Sequence, residues 1–224
     1  MQPEIFPSEA VLPDRDPASA RDRAYAFVRD GILRRTIKVG AFLEEEQVST
    51  AIGVSRTPVR EAFHRLAAER WLELVPRRGA MVRQVTAQEL IEVYEVRRLL
   101  EGHAVRQLCL SRQGAPALSH ALLYAMCADG AETIEQHASL DQQFHRSLVA
   151  TLGNAVLIEM YDSLRARQQQ VALCAFAANP ERLQTILNEH LMLLDALTRF
   201  DLTEAEAILF VHLQPLTGIL SRLG

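Results

Sequence analysis

Three observations predict a mainly α-helical chain in two parts: an N-terminal winged helix-turn-helix with a β-hairpin wing, then a C-terminal antiparallel α-helical bundle of six or seven helices. First, the segment from Gly53 to Val85, GVSRTPVREAFHRLAAERWLELVPRRGAMVRQV, reads as a helix, a short strand, a basic turn and a second strand. Second, after Val85 the chain changes to a succession of capped helical patterns joined by short loops, with no strand-like alternation. Third, charge is divided between the parts. Residues 20–84 hold 13 Arg/Lys against 8 Asp/Glu, whereas residues 85–224 hold 10 against 16. A basic module joined to an acidic one is expected when only one of them meets phosphate.

A chain of 224 residues suits one large domain or two small ones, and its 49% hydrophobic content can supply a sizeable core. The expected layout is a flexible arm over 1–19, a DNA-binding module over 20–85 and a helical module over 86–224. The arm, MQPEIFPSEAVLPDRDPASA through its first helical residue, carries acids and prolines where a signal peptide needs a basic start and an apolar stretch. The net charge of −4 argues against a uniformly basic nucleic-acid coat. Cys109, Cys127 and Cys174 are odd in number and far apart, so neither a disulfide framework nor a zinc ribbon is indicated. They read as reduced core thiols of a cytoplasmic protein. No apolar run approaches a membrane span, so no membrane partner is expected.

The elements follow in order. Ala24, Phe27, Val28, Ile32 and Leu33 give helical spacing over 20–35. A short helix over 44–52 ends at Gly53, a suitable C′ residue. The next helix starts between Ser55 and Pro58, with Ser/Thr as caps and Pro in its first turn. It runs to about Arg70 and buries Val59, Phe63, Leu66 and Ala67. Residues 72–75 and 81–85 are strands around the turn Pro76-Arg77-Arg78-Gly79. Thr86 with Glu89 forms a capping box that opens a long helix to about Cys109. Five more helices are expected near 115–128, 131–152, 154–178, 180–200 and 203–222, the last opened by a Thr203/Glu206 box.

Arg56, Thr57 and Arg60, with Ser55 before them, stand at the N-terminal turn of the second helix of the helix-turn-helix, which is the turn that enters the major groove. Arginine suits bidentate contact with guanine, and Ser or Thr can bond bases or phosphates. Arg77 and Arg78 on the wing turn can reach the backbone or the minor groove, and Gly79 permits close approach of the main chain. The bland reading is a structural three-helix unit with a solvated basic face. The order helix, helix, helix, basic wing weighs against it.

These segments resemble the GntR superfamily of bacterial regulators. GVSRTPVREAFHRL followed by LELVPRRGAMV carries the likeness over residues 20–85. YEVRRLLEGHAV, DQQFHRSLVATLGN and EHLMLLDAL make the remainder similar to the FadR subfamily, whose helical sensor is the FCD domain. Two departures stand out. Glu46 is acidic where the subfamily's founding member has a DNA-contacting arginine, so that contact is not carried over. Arg70 replaces the glycine that ends the recognition helix in many members.

Asp141 and His145, four residues apart, share one helical face. His190 and His212 lie on two later helices beside leucines. A lone histidine on a helix is as readily a surface or core residue, but three His and one Asp can converge in a bundle. Imidazoles with a carboxylate suit a divalent transition metal such as Zn, Ni or Mn. In FCD domains the ligands fall at an Asp-x-x-x-His pair and at one histidine on each of the last two helices, and all four positions match here. His64, His103, His120 and His137 match none. No organic cofactor is implied. The resemblance also places an effector-contacting arginine at Arg97, as a bidentate clamp for a carboxylate. The competing role for Arg97 is an ion pair with Glu101. Val96, Leu100 and Ala104 are expected to form the inward stripe beside it, and Phe176 is expected to pack against the effector.

The expectation is therefore not an enzyme but a metabolite-responsive transcriptional regulator, most often a repressor. It would bind a palindromic operator in double-stranded DNA as a homodimer and respond to a small carboxylate effector. Two other readings compete. A metal-dependent hydrolase with an accessory DNA-binding head would turn over esters or amides, although no nucleophile motif is present. An architectural DNA-binding protein would bind all sequences equally.

Overall fold

The computed structural model describes residues 19–127, 133–178 and 182–215, the side chains of 174–178 excepted. The arm over 1–18 and the expected continuation of the last helix to 222 lie outside the described residues. The chain divides into two compact units between Gln84 and Val85. No helix among the described residues is long and apolar enough to cross a membrane.

In the first unit, α1 (Ala20–Leu33) opens on Ser19, whose hydroxyl accepts from the Asp22 amide, and it buries Ala24, Tyr25 and Val28. Next come β1 (Phe42–Leu43), α2 (Glu45–Ile52) and α3 (Arg56–Ala68). Gly53 ends α2 at φ 67°, a left-handed conformation that glycine adopts without strain, so only three residues separate α2 from α3. Behind α3, β2 (Leu72–Val75) and β3 (Gly79–Val82) form the antiparallel hairpin. Its outer strand was not expected: β1 pairs with β3 through Phe42–Met81 and Leu43–Ala80, giving the order β1-β3-β2. Two residues are too few to show a period of two. Leu43, Val48, Val59, Leu66, Trp71, Leu72, Ala80 and Val82 are all 2% exposed or less and make one core under this sheet.

The second unit is helical. It comprises α4 (Ala87–Leu110), α5 (Ala117–Cys127), α6 (Ile134–Ala150), α7 (Ala155–Asp162), α8 (Arg165–Ala178), α9 (Arg182–Thr198) and α10 (Leu202–His212). The Thr86/Glu89 capping box is present, as is a second one of Thr133 with Gln136 that opens α6. Val105, Leu108, Leu123, Met126, Phe144, Leu148, Leu193, Leu197 and Leu209 pack into the bundle core. Each such side chain contributes roughly 1.5–3 kcal/mol when taken fully out of water.

Four expectations need correction. The single helix over 154–178 is two, α7 and α8, because the chain breaks after Asp162 at Ser163 and Leu164. The cap of α10 is Asp201, which accepts from the Glu204 amide two residues before the expected box. Cys127 is exposed rather than in the core, whereas Cys109 is buried. On α4 the inward stripe is Val93, Arg97, Glu101, Ala104 and Leu108, and Val96 is 37% exposed. One helical step separates the two stripes, and a charged pair occupies the centre of the true one.

Candidate DNA-reading and metal-binding sites

The turn between α2 and α3 presents Ser55, Arg56, Thr57 and Arg60 on the surface. Ser55 is the N-cap of α3, but its hydroxyl makes no cap hydrogen bond. Arg56 and Arg60 both meet carboxylates of α2. Arg60 donates from Nε and Nη2 to the two oxygens of Glu45, at 2.7 Å each, and Arg56 Nη2 lies 2.5 Å from Glu46 Oε2. Glu46 stood out in the sequence only as a departure from the subfamily and Glu45 not at all, because both are distant along the chain from the arginines they face. Arg77 and Arg78 are exposed at the wing tip, Arg77 with φ 63°. The Arg78 guanidinium stands 5.2 Å from the centre of the Phe42 ring. At Gly79 a Cβ would come 2.1 Å from the Leu43 carbonyl oxygen, so glycine lets β1 close against the hairpin. The requirement for close backbone approach at Gly79 is met within the sheet.

In the second unit, Asp141 and His145 of α6, His190 of α9 and His212 of α10 come together, with one ligand atom from each within 4.8 Å of all the others. His145 Nε2 is 3.1 Å from His190 Nε2 and 3.0 Å from His212 Nε2. Asp141 Oδ1 is 3.7 Å from His145 Nε2 and 3.5 Å from His190 Nε2. Phe144 stacks on the His190 ring with centroids 4.1 Å apart and holds it from the core side.

Two carboxylates stand behind the cluster. Glu101 Oε2 lies 2.7 Å from His145 Nδ1, and Glu189 Oε2 lies 2.8 Å from His212 Nδ1. Glu189 can accept the Nδ1 proton of His212, which would leave the His212 Nε2 lone pair directed into the cluster, as a metal-binding imidazole requires. Burial, and then the neighbouring imidazoles, hold His190 well below the ordinary histidine range. Burial also lowers His212, with Glu189 pulling the other way. Protons are therefore a poor choice of cation, and the donor set fits a metal ion. Glu189 was missed in the sequence, and Glu101 was read only as an ion-pair partner of Arg97. Only the fold brings Glu101 of α4 beside α6, and Glu189 directly precedes His190 of the cluster but faces His212.

Arg97 is buried, and its Nε donates to Glu101 Oε1 at 2.7 Å. Tyr161, at the end of α7, donates its hydroxyl to the same oxygen at 2.8 Å. Arg97 and then His145 depress Glu101 well below the carboxylate range against the opposing effect of burial, so Glu101 is ionised. The ion pair foreseen as the alternative role of Arg97 is thus present, one residue removed from the His/Asp cluster. The backbone of Phe176 belongs to α8, but its side chain lies outside the described residues.

Comparison with known proteins matches residues 20–82 to the bacterial regulatory proteins of the gntR family and residues 92–215 to the FCD domain. The chain is 30% identical to a probable D-xylose utilization operon transcriptional repressor of Paenarthrobacter nicotinovorans, over 83% of this chain and 82% of that one. It is 25% identical to the gluconate operon transcriptional repressor of Bacillus licheniformis, over 82% and 78%. A GntR transcriptional regulator from Rhodococcus sp. RHA1 has the same fold, with a TM-score of 0.71 at 24% identity over 88% of this chain and 94% of that one. A winged head on a helical bundle with a buried His/Asp cluster, together with these matches, makes the chain a member of the gntR family of transcription regulators with a C-terminal FCD domain, and not an enzyme.

Proposed function

We propose that this protein is a homodimeric repressor of the FadR subfamily that binds a palindromic operator and responds to a small carboxylate bound at a metal site. The observation that carries the reading is the convergence of Asp141, His145, His190 and His212 from three helices in one unit, in a chain whose other unit is a winged helix. Asp141, His145, His190 and His212 would hold one Zn, Ni or Mn ion. An ion so held leaves coordination positions for an oxygen ligand. Ser55, Arg56, Thr57 and Arg60 would read the major groove, while Arg77, Arg78 and Gly79 would track the backbone beside it. Arg97 would offer the effector the part of its guanidinium not taken by Glu101, and Phe176 would pack against it. The name of one relative, a gluconate operon repressor, supports a sugar acid or related hydroxy acid as the effector class.

A homodimer is expected because one winged helix offers few base contacts, and two-fold symmetry doubles them. Native mass spectrometry of the purified protein, followed by selection of duplexes from a random library, tests the reading. The expected result is a dimer with one divalent ion per subunit and an enriched palindromic sequence. A metal-free monomer that enriches no sequence would overturn it.

A further inference from the structure

The N-terminal end of α2 carries three consecutive carboxylates, Glu44, Glu45 and Glu46, at the end of a helix that favours negative charge. Two of them reach α3, and their two contacts differ. Glu45 is 22% exposed and grips both edges of the Arg60 fork, which fixes the direction of that side chain. Glu46 is 68% exposed and faces an Arg56 that is itself 58% exposed. An exposed pair of this kind opens at little cost.

We propose that Glu46 is a specificity-determining residue that masks Arg56 against phosphate and so weakens sequence-independent binding more than operator binding. The proposal rests on α3 being the recognition helix. When Arg56 turns to a phosphate, Glu46 loses its partner and is left beside the negative charge of the DNA. Phosphate is the same at every sequence, so this penalty falls on all duplexes alike. A base edge can lift it. An exocyclic amine of cytosine or adenine donates to the freed carboxylate while Arg56 takes a guanine. Glu46 therefore subtracts from non-specific affinity and is repaid only where the base sequence supplies a donor.

The test uses the full-length protein and duplexes it selects from a random library. Failure to enrich any sequence would remove the recognition-helix reading itself. Given an enriched duplex, Glu46→Gln is expected to bind a scrambled duplex of the same length roughly three- to tenfold more tightly. Its salt dependence there should steepen by about 0.9, the mark of one more phosphate neutralised. Its affinity for the enriched duplex should stay the same or fall. In an Arg56→Ala background the same substitution should change neither. Asp195→Asn removes one charge beside Arg199 in the second unit and serves as the control for net charge. The proposal is overturned if scrambled-duplex affinity is unchanged, if Asp195→Asn gives an equal gain, or if the gain survives without Arg56.

Discussion

Arg97 pairs with Glu101 and, as proposed, would also hold the effector, so its neighbours decide how the two roles separate. Glu101 is 0% exposed and takes hydrogen bonds from both Arg97 and Tyr161. Arg97→Ala should therefore cost about 3–5 kcal/mol of stability, because an ionised carboxylate is left buried without its charged partner. Arg97→Lys keeps the charge but loses the fork. It should fold, bind operator DNA, and respond to the carboxylate far more weakly. Denaturant titration of the first variant and calorimetry of the second check the two roles separately. At the ligands, His190→Ala/His212→Ala should hold no stoichiometric metal after dialysis, while Glu189→Gln should keep the site and weaken metal affinity about 10–100-fold, since it only orients His212. Metal analysis of both variants decides this, and full occupancy in the double variant would sink the site. On the DNA side, Arg56→Ala should cost roughly 1–3 kcal/mol on the selected operator and relax its specificity. Arg77→Ala should weaken all duplexes evenly and flatten the salt dependence in a mobility-shift titration.

Among the elements, the end of α3 shows how a local rule is overridden. Arg70 takes φ 64°, in the place where a glycine would be expected. It is held there because Trp71 must turn back into the core: its amide donates to the Leu66 carbonyl, and its side chain is 2% exposed. Arg70→Val should lower stability by about 1–3 kcal/mol, as a β-branched residue is poorly tolerated in that conformation, whereas Arg70→Gly should be tolerated. Thermal melts of the two variants test it. The same element explains what was legible in sequence. Val59, Phe63 and Leu66 announced the buried face of α3 by spacing, and Thr86 with Glu89 announced the start of α4 by chemistry. β1 was hidden by its length. The break between α7 and α8 was hidden because Ser163 and Leu164 carry no glycine or proline signal. The four residues that converge in the His/Asp cluster were legible through an i, i+4 pair and a resemblance. The acids behind them were not legible as its neighbours, since Glu101 and Glu189 reach His145 and His212 through contacts between helices that no periodicity encodes.

For the whole molecule, two compact units with separate cores imply that stress on one need not be felt by the other. If the ion belongs to the second unit, stripping it should lower only that unit's unfolding transition, leaving the winged head's melt in place. At a metal concentration 100 times its dissociation constant the loss is about 2.7 kcal/mol. Differential scanning calorimetry with and without chelator resolves the two, and an equal shift of both transitions would count against independent units.

The burial of the cluster has a consequence in time. His145 and His190 are 0% exposed, His212 is 7% and Asp141 is 8%, so the cluster meets water only along its Asp141 and His212 edge. An ion held by all four residues would exchange chiefly when the helices around that narrow edge part, and the opening frequency would then set the clock for exchange. Removal should proceed at a rate that stops rising as chelator is added, matching the rate at which the most protected amides of α9 trade hydrogen for deuterium. A regulator built this way would keep its ion through many rounds of operator binding and release. The ion would be a lasting fixture of each folded copy, and only the faster-exchanging organic guest would carry news of the cell's chemistry.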